Sequence, residues 1–467
     1  MEGSFLRVLN RARLFLSLHI LMICFMHKGY PYGVEGKITS HTTSVSSLLP
    51  SSCLPSTSKA STRKSTLEVI HKRGPCSPLA QDPNPLNHTE ILLRDESRVK
   101  WIQSQSSNGS DGLKASAAVS LPAKAGFMAQ DYVVTIGLGT PTKHLTLEID
   151  TGSPLTWTQC KPCKSCYPQS EPIFNPSRSL SYANISCHST SCPHFGTSEC
   201  AGSTCLYHIL YGDQSSSAGF FATEKLTITP TEVINNFKFG CGENNGGFTG
   251  GSAGLIGLSN DKISIVEQTA AKYGKYFSYC LPSSTSSRGH LTFGKDDRAV
   301  SSVRFTPLSM VSSQFYGIRI LGITLGGKRL PIPSTVFSGR AAVIDSGTTI
   351  TLLPPTAYSA LRTAFRNKMA KYKMAPALTP FDTCYDFSKE SKITVPSIIF
   401  SFAGGVDVDL DPNGIFYSEK ASQVCLAFVA NRADSDLVIY GNVQQKTFEV
   451  VYDVAGRKLG FGPNGCS

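Results

Sequence analysis

Short alternating or apolar runs separated by Gly, Pro, Asn and Ser make up most of the chain from residue 127 onward. YVVTIGL, KLTITP, FKFGCG and FEVVYDVAG are examples. Alternation of apolar and polar positions is typical of half-buried β-strands, and many short strands in succession predict a mostly antiparallel β fold. In this part of the chain only AYSALRTAFRNKMAKY, residues 357–372, has a convincing helical period.

The first 126 residues have a different texture. Residues 40–66 form a low-complexity stretch rich in Ser and Thr. After it, TEILLRDESRVKWIQSQ (89–105) predicts one amphipathic helix, with apolar positions at Ile91, Leu92, Val99 and Ile102. We interpret residues 31–126 as a prosegment that is cut from a mature domain somewhere within 106–130. The alternative is a disordered tail without a role.

The extreme N-terminus predicts secretion. Arg7, Arg11 and Arg13 precede an apolar run at residues 14–26, which is the pattern of a signal peptide, expected over residues 1–30. The run is shorter than the roughly 18–20 apolar residues that a membrane-spanning helix needs. The last residues, GPNGCS, do not suggest a lipid anchor. We expect delivery to the extracellular space, the plant apoplast, with the vacuole as the alternative destination.

Positive charge is concentrated in the N-terminal part of the chain. The formal net charge is +11, and residues 1–126 hold 15 Lys and Arg against 8 Asp and Glu. The remainder has no basic stripe interleaved with aromatic residues, so a nucleic acid is not an expected partner. We expect the basic prosegment to lie across an acidic cleft and to loosen on acidification, with a cluster at Arg63, Lys64, Lys72 and Arg73.

An internal repeat is the most informative pattern. DTGSPLTW begins at residue 150 and DSGTTITLLP at residue 345, each after a short apolar run. Each is followed about a hundred residues later by an apolar-apolar-Gly triplet, at 255–257 and at 439–441. The same order at similar spacing predicts two homologous lobes, residues 127–305 and 306–467.

Asp150 and Asp345 would lie side by side if these lobes pack about a pseudo-twofold axis. Two adjacent carboxylates do not both ionise readily, so they share one proton over a wide acidic range. The ionised carboxylate can take a proton from a bound water while the protonated one polarises a substrate carbonyl, without a metal or cofactor. Gly152 and Gly347 are expected to let the backbone turn tightly beside the two carboxylates.

Hydroxyl side chains surround both aspartates in the sequence. Ser153 and Thr348 are expected to donate hydrogen bonds to the carboxylates. Thr151 and Ser346 are expected to brace the two loops against each other. Each motif alone is a common turn, but two in register, each with a following apolar-apolar-Gly element, are not expected by chance.

At these residues the chain resembles a pepsin-fold aspartic endopeptidase of the atypical, nepenthesin-like plant branch. The resemblance covers residue 127 to the C-terminus and rests on the motifs DTGSPLTWTQCKPCKSC, FGCGENNGGFTG, VCLAF and YGNVQQKTFEVVYD. LEVIHKRGPCSPL is similar to the pro-region of the family. The resemblance implies a mostly β, bilobal fold with a cleft between two homologous β lobes, and catalytic roles for Asp150 and Asp345.

The resemblance also implies a flap over the cleft. LYHILYGDQSSSAGFFATEKLTI is typical of a β-hairpin, with alternating runs around a Gly/Asp/Ser turn. Tyr211 on this hairpin is implied to be the flap tyrosine, an exposed lid residue that Trp157 hydrogen-bonds. The alternative for Tyr211 is a core aromatic. Pro154 stands where the family commonly has Asp, and we expect it to stiffen the loop without touching the catalytic groups.

Twelve cysteines lie between Cys160 and Cys466. A Cys-x2-Cys-x2-Cys cluster begins at Cys160, but no His or fourth Cys completes a zinc or iron–sulfur site at the usual spacing, so no metal is expected. An even number in a secreted chain favours disulfides. The resemblance implies the pairs Cys160–Cys163, Cys166–Cys241, Cys187–Cys205, Cys192–Cys200, Cys280–Cys466 and Cys384–Cys425. Expected N-glycosylation sites are Asn87, Asn108 and Asn184.

Together these patterns predict a secreted, monomeric aspartic endopeptidase that hydrolyses protein or peptide substrates at acid pH and needs no cofactor. The main alternative is a catalytically silent pepsin-fold protein of the plant cell wall, such as the xylanase-inhibitor-like relatives, which tend to lose or distort one of the two motifs. A carbohydrate-binding or structural cell-wall protein would leave the paired motifs unexplained.

Overall fold

The computed structural model describes residues 39–49, 52–53, 64–79, 88–107, 131–192, 200–248, 251–295, 302–312, 314–339 and 341–466. The regular elements all belong to the unit Ser40–Ser467. The expected signal peptide lies outside the described residues, as do the sequons at Asn87 and Asn108 and nearly all of the expected cleavage region.

Two strands and one α-helix are described within the expected prosegment. They are β1 (Ser40–Ser44), which leads into a 3-10 turn at Val45–Leu48, β2 (Thr66–His71) and α1 (His88–Ser107). The helix confirms the one expected at 89–105. Leu92, Val99 and Ile102 are buried, as the apolar spacing predicts.

The regular elements of the next part of the chain are mostly strands, with two single-turn α-helices and a 3-10 helix at Pro176–Arg178. Its elements are β3 (Tyr132–Leu138), β4 (Lys143–Asp150), β5 (Trp157–Gln159), β6 (Ala183–Asn184), β7 (Cys200–Ala201), β8 (Thr204–Leu210), β9 (Ser216–Thr229), β10 (Glu232–Gly246), β11 (Gly254–Gly257), α2 (Ile265–Gln268), α3 (Ala270–Tyr273), β12 (Tyr276–Cys280) and β13 (Arg288–Phe293).

The C-terminal part repeats this texture around one longer helix. Its elements are β14 (Arg304–Pro307), β15 (Ser309–Met310), β16 (Tyr316–Ile318), β17 (Ile320–Leu325), β18 (Lys328–Arg329), β19 (Ala342–Ile344), β20 (Thr351–Leu353), α4 (Pro355–Lys368), β21 (Met374–Ala375), β22 (Cys384–Tyr385), β23 (Lys392–Pro396), β24 (Ile398–Phe402), β25 (Val406–Asp409), α5 (Pro412–Ile415), β26 (Phe416–Lys420), β27 (Gln423–Leu426), β28 (Phe428–Ala430), β29 (Ile439–Tyr440), β30 (Glu449–Asp453) and β31 (Lys458–Gly462). The fold is therefore mostly β, as predicted.

One long sheet connects the two halves of the chain. Its order is β14-β31-β30-β12-β13-β2-β3-β4-β11-β5-β10-β9-β8-β7, and β6 pairs with β9. Three smaller sheets belong to the C-terminal half: β15-β16-β19-β29-β20-β28, β18-β17-β24-β25 and β21-β22-β27-β26. β14, β30 and β31 lie beyond or at the predicted lobe boundary in sequence yet extend the long sheet. The boundary itself stays a prediction.

The helix expected at 357–372 is α4, which begins slightly earlier, at Pro355. Proline is tolerated in the first turn, where its missing N–H would have no partner in any case. The face formed by Ala357, Leu361 and Phe365, spaced by one helical turn, is buried in the core. The ring of Phe416, the first residue of β26, packs against the ring of Phe365 on this face, with centroids 6.0 Å apart.

The register of the strands changes four of the expected disulfides. β5 pairs in parallel with β10, which brings Cys160 beside Cys241, with 5.3 Å between their Cα atoms. Cys163 then pairs with Cys166. The expected Cys160–Cys163 and Cys166–Cys241 bonds are therefore wrong, because the sheet places Cys160 beside Cys241, whereas Cys166 lies further along β10, near Asn245.

The hairpin of β7 and β8 produces the second correction. Cys200 and Cys205 lie directly opposite each other in its register. Each bonds a cysteine from the preceding loop, in the pairs Cys187–Cys200 and Cys192–Cys205, which replace the expected Cys187–Cys205 and Cys192–Cys200. Cys280–Cys466 and Cys384–Cys425 form as expected. A seventh bond, Cys53–Cys76, lies within the expected prosegment.

Candidate active site

Equivalent strands of the internal repeat hold the two aspartates. Asp150 ends β4, and Asp345 follows directly after β19. β11 pairs in parallel with β4, and β29 pairs in parallel with β19. The backbone N–H of Leu258 donates to the Asp150 carbonyl (2.8 Å), and that of Asp345 donates to the Tyr440 carbonyl (3.1 Å). The two apolar-apolar-Gly triplets are thus the strands that flank the aspartates.

The structure brings the two carboxylates together around one guanidinium group. Arg98 of α1 donates from Nη2 to Asp150 Oδ1 (2.7 Å) and to Asp345 Oδ1 (3.0 Å). Its Nη1 donates to Asp150 Oδ2 (3.2 Å), and its Nε donates to Asp345 Oδ2 (2.8 Å). Both aspartates are fully buried. All four carboxylate oxygens are therefore bound by a residue of the expected prosegment.

Backbone and hydroxyl donors complete the two loops, with one difference from expectation. The N–H of Gly152 donates to Asp150 Oδ1 (2.9 Å), and that of Gly347 donates to Asp345 Oδ1 (3.1 Å). Thr348 Oγ1 donates to Asp345 Oδ2 (2.6 Å), as predicted. The prediction for Ser153 is wrong: its buried hydroxyl has no hydrogen-bond partner among the described residues.

Thr151 and Ser346 brace the loops against each other, as the sequence predicts. The backbone N–H of Thr151 donates to Ser346 Oγ (3.1 Å), and that of Ser346 donates to Thr151 Oγ1 (2.9 Å). The two bonds are reciprocal, so they repeat the twofold relation of the sequence motifs. They fix the distance between the loops that carry the carboxylates.

The two glycines are required for space rather than for a special backbone angle. Neither Gly152 nor Gly347 has a positive φ. A Cβ added at residue 152 would lie 2.9 Å from Asp345 Oδ1, and one added at 347 would lie 2.7 Å from Asp150 Oδ1. Any larger side chain would force the opposite carboxylate away, so glycine permits the close approach of the pair.

The electrostatics of the pair are asymmetric. Burial raises the pKa of Asp150; Arg98 opposes this and the charge of Asp345 adds to it. Burial alone would also raise the pKa of Asp345, but Arg98, Thr348 and the Gly347 N–H outweigh it and hold that pKa below its usual value. The pKa values of the two carboxyls are thus moved apart, which is the condition for one acid and one base at a single site.

The flap is present, but its tyrosine is buried rather than exposed. Tyr211 joins β8 to β9, and Trp157 Nε1 donates a hydrogen bond to its hydroxyl (2.7 Å), as the resemblance implies. Phe248 packs edge-on against both rings, with centroids 4.9 Å from Trp157 and 5.8 Å from Tyr211. Phe248 lies in the FGCGENNGGFTG motif, but the motif predicts no role for it. The hydrogen bond and this third ring explain the burial of Tyr211.

Helix α1 lies along the cleft. Two carboxylate oxygens of Asp95 accept the backbone N–H groups of Thr349 and Ile350 (2.7 and 3.0 Å), directly after the second aspartate motif. Trp101 packs against Phe315, with ring centroids 5.7 Å apart. A Cβ added at Gly212 in the flap turn would lie 2.4 Å from Trp101. The helix therefore contacts the second aspartate loop and the flap at the same time.

The basic cluster expected over the cleft lies elsewhere. Lys72 pairs with Glu148, and Arg73 pairs with Asp131. Lys64 is exposed, and Arg63 lies outside the described residues. Arg98 contacts the aspartates instead. Arg98 shares a helix face with Asp95 and Ile102, so two charged residues on an otherwise apolar stripe were the signal that could have identified it.

Metal binding has no support among the described residues, where no group of three or more His, Cys, Asp or Glu side chains is arranged to hold an ion. The three cysteines of the expected cluster are all in disulfides.

Of the expected glycosylation sites, Asn184 is exposed on β6, and its side-chain oxygen accepts a hydrogen bond from the Tyr182 hydroxyl (2.6 Å). Within the described part of the chain, no helix is long and apolar enough to cross a membrane.

Comparisons with known proteins agree with this geometry. Residues 132–295 match the family model "Xylanase inhibitor N-terminal", and residues 315–463 match "Xylanase inhibitor C-terminal". The chain is 52% identical to Aspartyl protease family protein At5g10770 of Arabidopsis thaliana, over 96% of this chain and 98% of the relative. It is 34% identical to aspartic proteinase nepenthesin-2 of Nepenthes gracilis, over 80% of this chain and 85% of the relative.

The fold is also found among solved structures. Basic 7S globulin from soybean has a TM-score of 0.56 and 19% identity, over 71% of this chain and 91% of that chain. At this identity the likeness concerns the fold alone. The paired aspartate motifs, the fold and the two relatives agree. The chain therefore belongs to the pepsin-like aspartic protease family, in its atypical, nepenthesin-like plant branch.

Proposed function

We propose that the chain is the latent precursor of a secreted aspartic endopeptidase that hydrolyses peptide bonds at acid pH. The observation that carries the proposal is the pair of buried carboxylates, Asp150 and Asp345, bound by the same nitrogen of Arg98. A buried pair of this kind is suited to share a proton once the guanidinium leaves.

In the mechanism that we propose, a water molecule replaces Arg98 between the two carboxylates. The ionised carboxylate takes a proton from this water as its oxygen attacks the substrate carbonyl carbon, and the protonated carboxyl donates a hydrogen bond to the carbonyl oxygen. The protonated carboxyl then transfers its proton to the carbonyl oxygen, which gives a tetrahedral diol. The diol collapses as the carboxyl that took the water proton gives it to the leaving nitrogen, the other carboxylate takes a proton from a diol hydroxyl, and the C–N bond breaks. The Thr151–Ser346 brace holds the pair at a fixed separation throughout.

Helix α1 keeps the precursor inactive in this proposal. Arg98 occupies the position of the attacking water, and Trp101 lies against the flap turn that would close over a peptide. Burial alone would lower the pKa of Arg98, but Asp150 and Asp345 outweigh it and raise that pKa, so the guanidinium stays charged. Only protonation of the carboxylates can weaken the contact, and this ties release to acid pH.

A catalytically silent inhibitor or binding protein is the second candidate, because both family models are described as xylanase inhibitor halves. Against it, both Asp-x-Gly motifs keep the backbone N–H that donates to the carboxylate, and Gly152 and Gly347 leave room for the opposite carboxylate to approach. A protein that only binds has no need of this arrangement. We therefore favour the protease.

Secretion and maturation belong to the same proposal. Seven disulfides indicate folding in an oxidising compartment. With the apolar run at residues 14–26 they support a secretory route to the extracellular space or the vacuole. Substrates would be unfolded proteins or peptides that enter the cleft once α1 has left, and the mature enzyme would act as a monomer.

Cleavage of an unfolded protein at about pH 4 by purified full-length chain tests the proposal. The wild type should cleave, a pepstatin-type inhibitor should stop it, and Asp150→Asn and Asp345→Asn should each reduce the rate by about 10⁴-fold. Folded wild type without any cleavage, after removal of the prosegment, would favour the silent binding protein.

A further inference from the structure

A group of buried polar side chains contacts the backbone of the aspartate loops and not their carboxylates. Gln445 ends a 3-10 turn, Asn442–Gln445, shortly after β29. Its side chain is fully buried, and Nε2 donates to the backbone carbonyls of Asp345 (3.2 Å) and Tyr440 (3.0 Å). The two carbonyls fix the orientation of the amide, because only its nitrogen can donate to them. Its oxygen Oε1 is therefore left to accept.

Two tyrosines extend this contact from Gln445. Tyr279 of β12 donates its hydroxyl hydrogen to Gln445 Oε1, and its oxygen lies 3.2 Å from the hydroxyl oxygen of Tyr452 on β30. Both tyrosines are fully buried. A hydroxyl has a single hydrogen, and Tyr279 uses its own on Gln445. Tyr452 is therefore the donor in the bond between the two tyrosines.

The hydrogen bonds then reach the loop of the first aspartate. Burial raises the pKa of Tyr452 well above its usual value, and a hydrogen bond with the Thr151 side chain opposes this rise. Since the hydrogen of Tyr452 is already used, Thr151 is the donor. The Thr151 hydroxyl oxygen in turn accepts the backbone N–H of Ser346 (2.9 Å). That N–H and the carbonyl of Asp345 belong to one peptide group, so the bonds form a closed ring.

Every bond of this ring points in the same direction. Each group donates to the next, in the order Ser346 N–H, Thr151, Tyr452, Tyr279, Gln445 and the carbonyl of Asp345. Hydrogen bonds arranged in such a chain polarise and strengthen one another. The peptide group that follows Asp345 is therefore held at its N–H and at its carbonyl by one unit, which passes through the loop of Asp150.

A third tyrosine supports the first loop from the same cluster. The Tyr316 hydroxyl donates to the carbonyl of Leu258 (2.9 Å), and the N–H of Leu258 donates to the carbonyl of Asp150 (2.8 Å). The ring of Tyr316 packs edge-on against that of Tyr452, with centroids 4.8 Å apart. A shift of Tyr452 would therefore be felt in the loops of both aspartates.

None of these side chains titrates in the acid range. Burial raises the pKa of Tyr279, Tyr316 and Tyr452 above the usual value, and an amide has no proton to lose. The charged groups that act on the three hydroxyls are Asp345 and, beside Tyr316, Glu267. The ring therefore persists while the catalytic carboxyls gain and lose protons. Its members all lie after residue 127, outside the expected prosegment.

We propose that Gln445 is a positioning residue for hydrolysis, which closes the ring and so holds Asp345 at the separation from Asp150 at which the two carboxyls share a proton. Gln445 acts through the backbone of Asp345 and does not touch the substrate. Without it, the second loop would shift, the two carboxyls would interact less, and their pKa values would move closer together. This inference rests on the proposed protease function.

The neighbouring Gln444 supplies a matched control. It is equally buried, donates to the carbonyls of Gly414 (2.9 Å) and Ala427 (3.1 Å) and accepts from the Thr351 hydroxyl (2.5 Å). These partners lie outside the ring. Gln444→Met and Gln445→Met each replace an amide by an unbranched apolar side chain of similar length, and each removes two donated bonds and one accepted bond.

Steady-state cleavage of a peptide by activated full-length chain, measured from about pH 2 to about pH 7, tests the inference. Gln445→Met should lower kcat by about tenfold with KM changed by less than about twofold, because only the catalytic pair is disturbed. The pH profile of kcat should become narrower by about one pH unit. Gln444→Met should keep the width of the wild-type profile, even where its Tm falls by as much as that of Gln445→Met.

Tyr279→Phe removes one hydroxyl from the same ring and repeats the test if Gln445→Met does not fold. It should narrow the profile in the same way, and the double variant should add little, since both changes open one ring. Equal profile widths for the wild type and for the Gln445 and Tyr279 variants would overturn the inference alone. A wild type that does not cleave would overturn the proposed function and this inference with it.

Discussion

At the scale of single residues, the site depends on contacts that fix the flap as well as the aspartates. Phe248 packs against the rings of Trp157, Tyr211 and Tyr167. It therefore supports the flap tyrosine and its hydrogen bond with Trp157, and does not act by touching substrate. It is a positioning residue in this sense. Sequence patterns could not identify it, because FTG follows a Gly-rich stretch whose path depends on the disulfide of Cys241.

Replacing Phe248 by Leu should affect kcat/KM more than folding. We expect kcat/KM for a peptide substrate to fall by about tenfold, mainly through KM, because the flap loses one wall of its aromatic contact. Phe174→Leu, at an equally buried phenylalanine that packs on Phe239 away from the flap, is the control and should keep kcat/KM. If both variants lose activity equally, with equal loss of stability, Phe248 has no positioning role.

Protonation of Asp95 makes the stability of the folded chain depend on pH, in the direction that opposes release of α1. Burial raises the pKa of Asp95 to about 7. The backbone N–H groups of Thr349 and Ile350 oppose this rise. The charge of Asp131 adds to it, and that of Arg98 opposes it. Its pKa is higher in the folded precursor than in the unfolded chain, where it is about 3.9. The folded state therefore gains protons, and stability from this group, as pH falls from above 7 towards 4.

The pKa shift of Asp345 has the opposite sign, and it affects stability at a lower pH than the shift of Asp95 does. Its pKa is depressed in the precursor, so the stability that it contributes through Arg98 is lost only as pH falls below its ordinary range. We therefore expect the precursor to stay latent at about pH 6 and to convert only near pH 4 or below.

Thermal unfolding of the precursor between about pH 8 and pH 5 checks the Asp95 sign. The wild type should gain about 2 kcal/mol relative to Asp95→Ala over this range, since Asp95 takes up a proton in the folded state alone. A wild type that loses stability relative to Asp95→Ala on acidification would show that the sign is wrong.

At the scale of elements, the apolar period predicted helix α1 and its buried face. It did not predict that this face packs into the cleft. Arg98 and Asp95 are charged residues on the same stripe, and their partners lie in the cleft. The same limit applies to the cysteines. Which of Cys160, Cys163 and Cys166 meets Cys241 depends on the parallel pairing of β5 with β10, a long-range contact that local sequence does not encode.

Strand β1 docks on the C-terminal half through an antiparallel pairing with β23 and through His41, whose ring lies 3.1 Å from a carboxylate oxygen of Asp409. The hydrogen bond to Asp409 is the largest influence and, against the opposing effect of burial, raises the pKa of His41. The stability that His41 contributes is present at acid pH and is lost as pH rises through its raised pKa.

His41→Ala should therefore destabilise the precursor more at about pH 5 than at about pH 8, by roughly 0.5–1 kcal/mol. The expected shift of Tm is about 1 °C at the lower pH. His144→Ala, at an exposed histidine on β4, is the control and should show no such difference. An equal loss at both pH values would mean that β1 is not held by a charged His41.

At the scale of the whole molecule, the two halves contribute one aspartate each, and the long sheet joins them through β14, β30 and β31. The sequence repeat predicted the meeting of the aspartates because symmetry alone brings equivalent residues to the axis. It could not predict that prosegment elements enter both the sheet and the cleft. Some of those contacts join residues more than two hundred positions apart, such as Arg98 and Asp345.

The molecule as we interpret it separates two tasks of the prosegment. The strands β1 and β2 complete sheets of the body, and α1 covers the catalytic pair with a single arginine. Acid pH weakens the contact of Arg98 with Asp345, whereas His41 holds β1 more strongly in acid. Under the proposed function, acid pH would therefore open the molecule at the cleft, at the contact of Arg98.

The time course of cleavage by full-length chain at about pH 4 tests the central claim, a working aspartate pair blocked by Arg98. The wild type and the surface control Lys100→Ala should cleave an unfolded protein only after a lag, and Arg98→Ala should cleave from the first time point. Arg98→Ala combined with Asp345→Asn should not cleave. Cleavage by the wild type without a lag, or by the combined variant at a rate near that of Arg98→Ala, would contradict the claim.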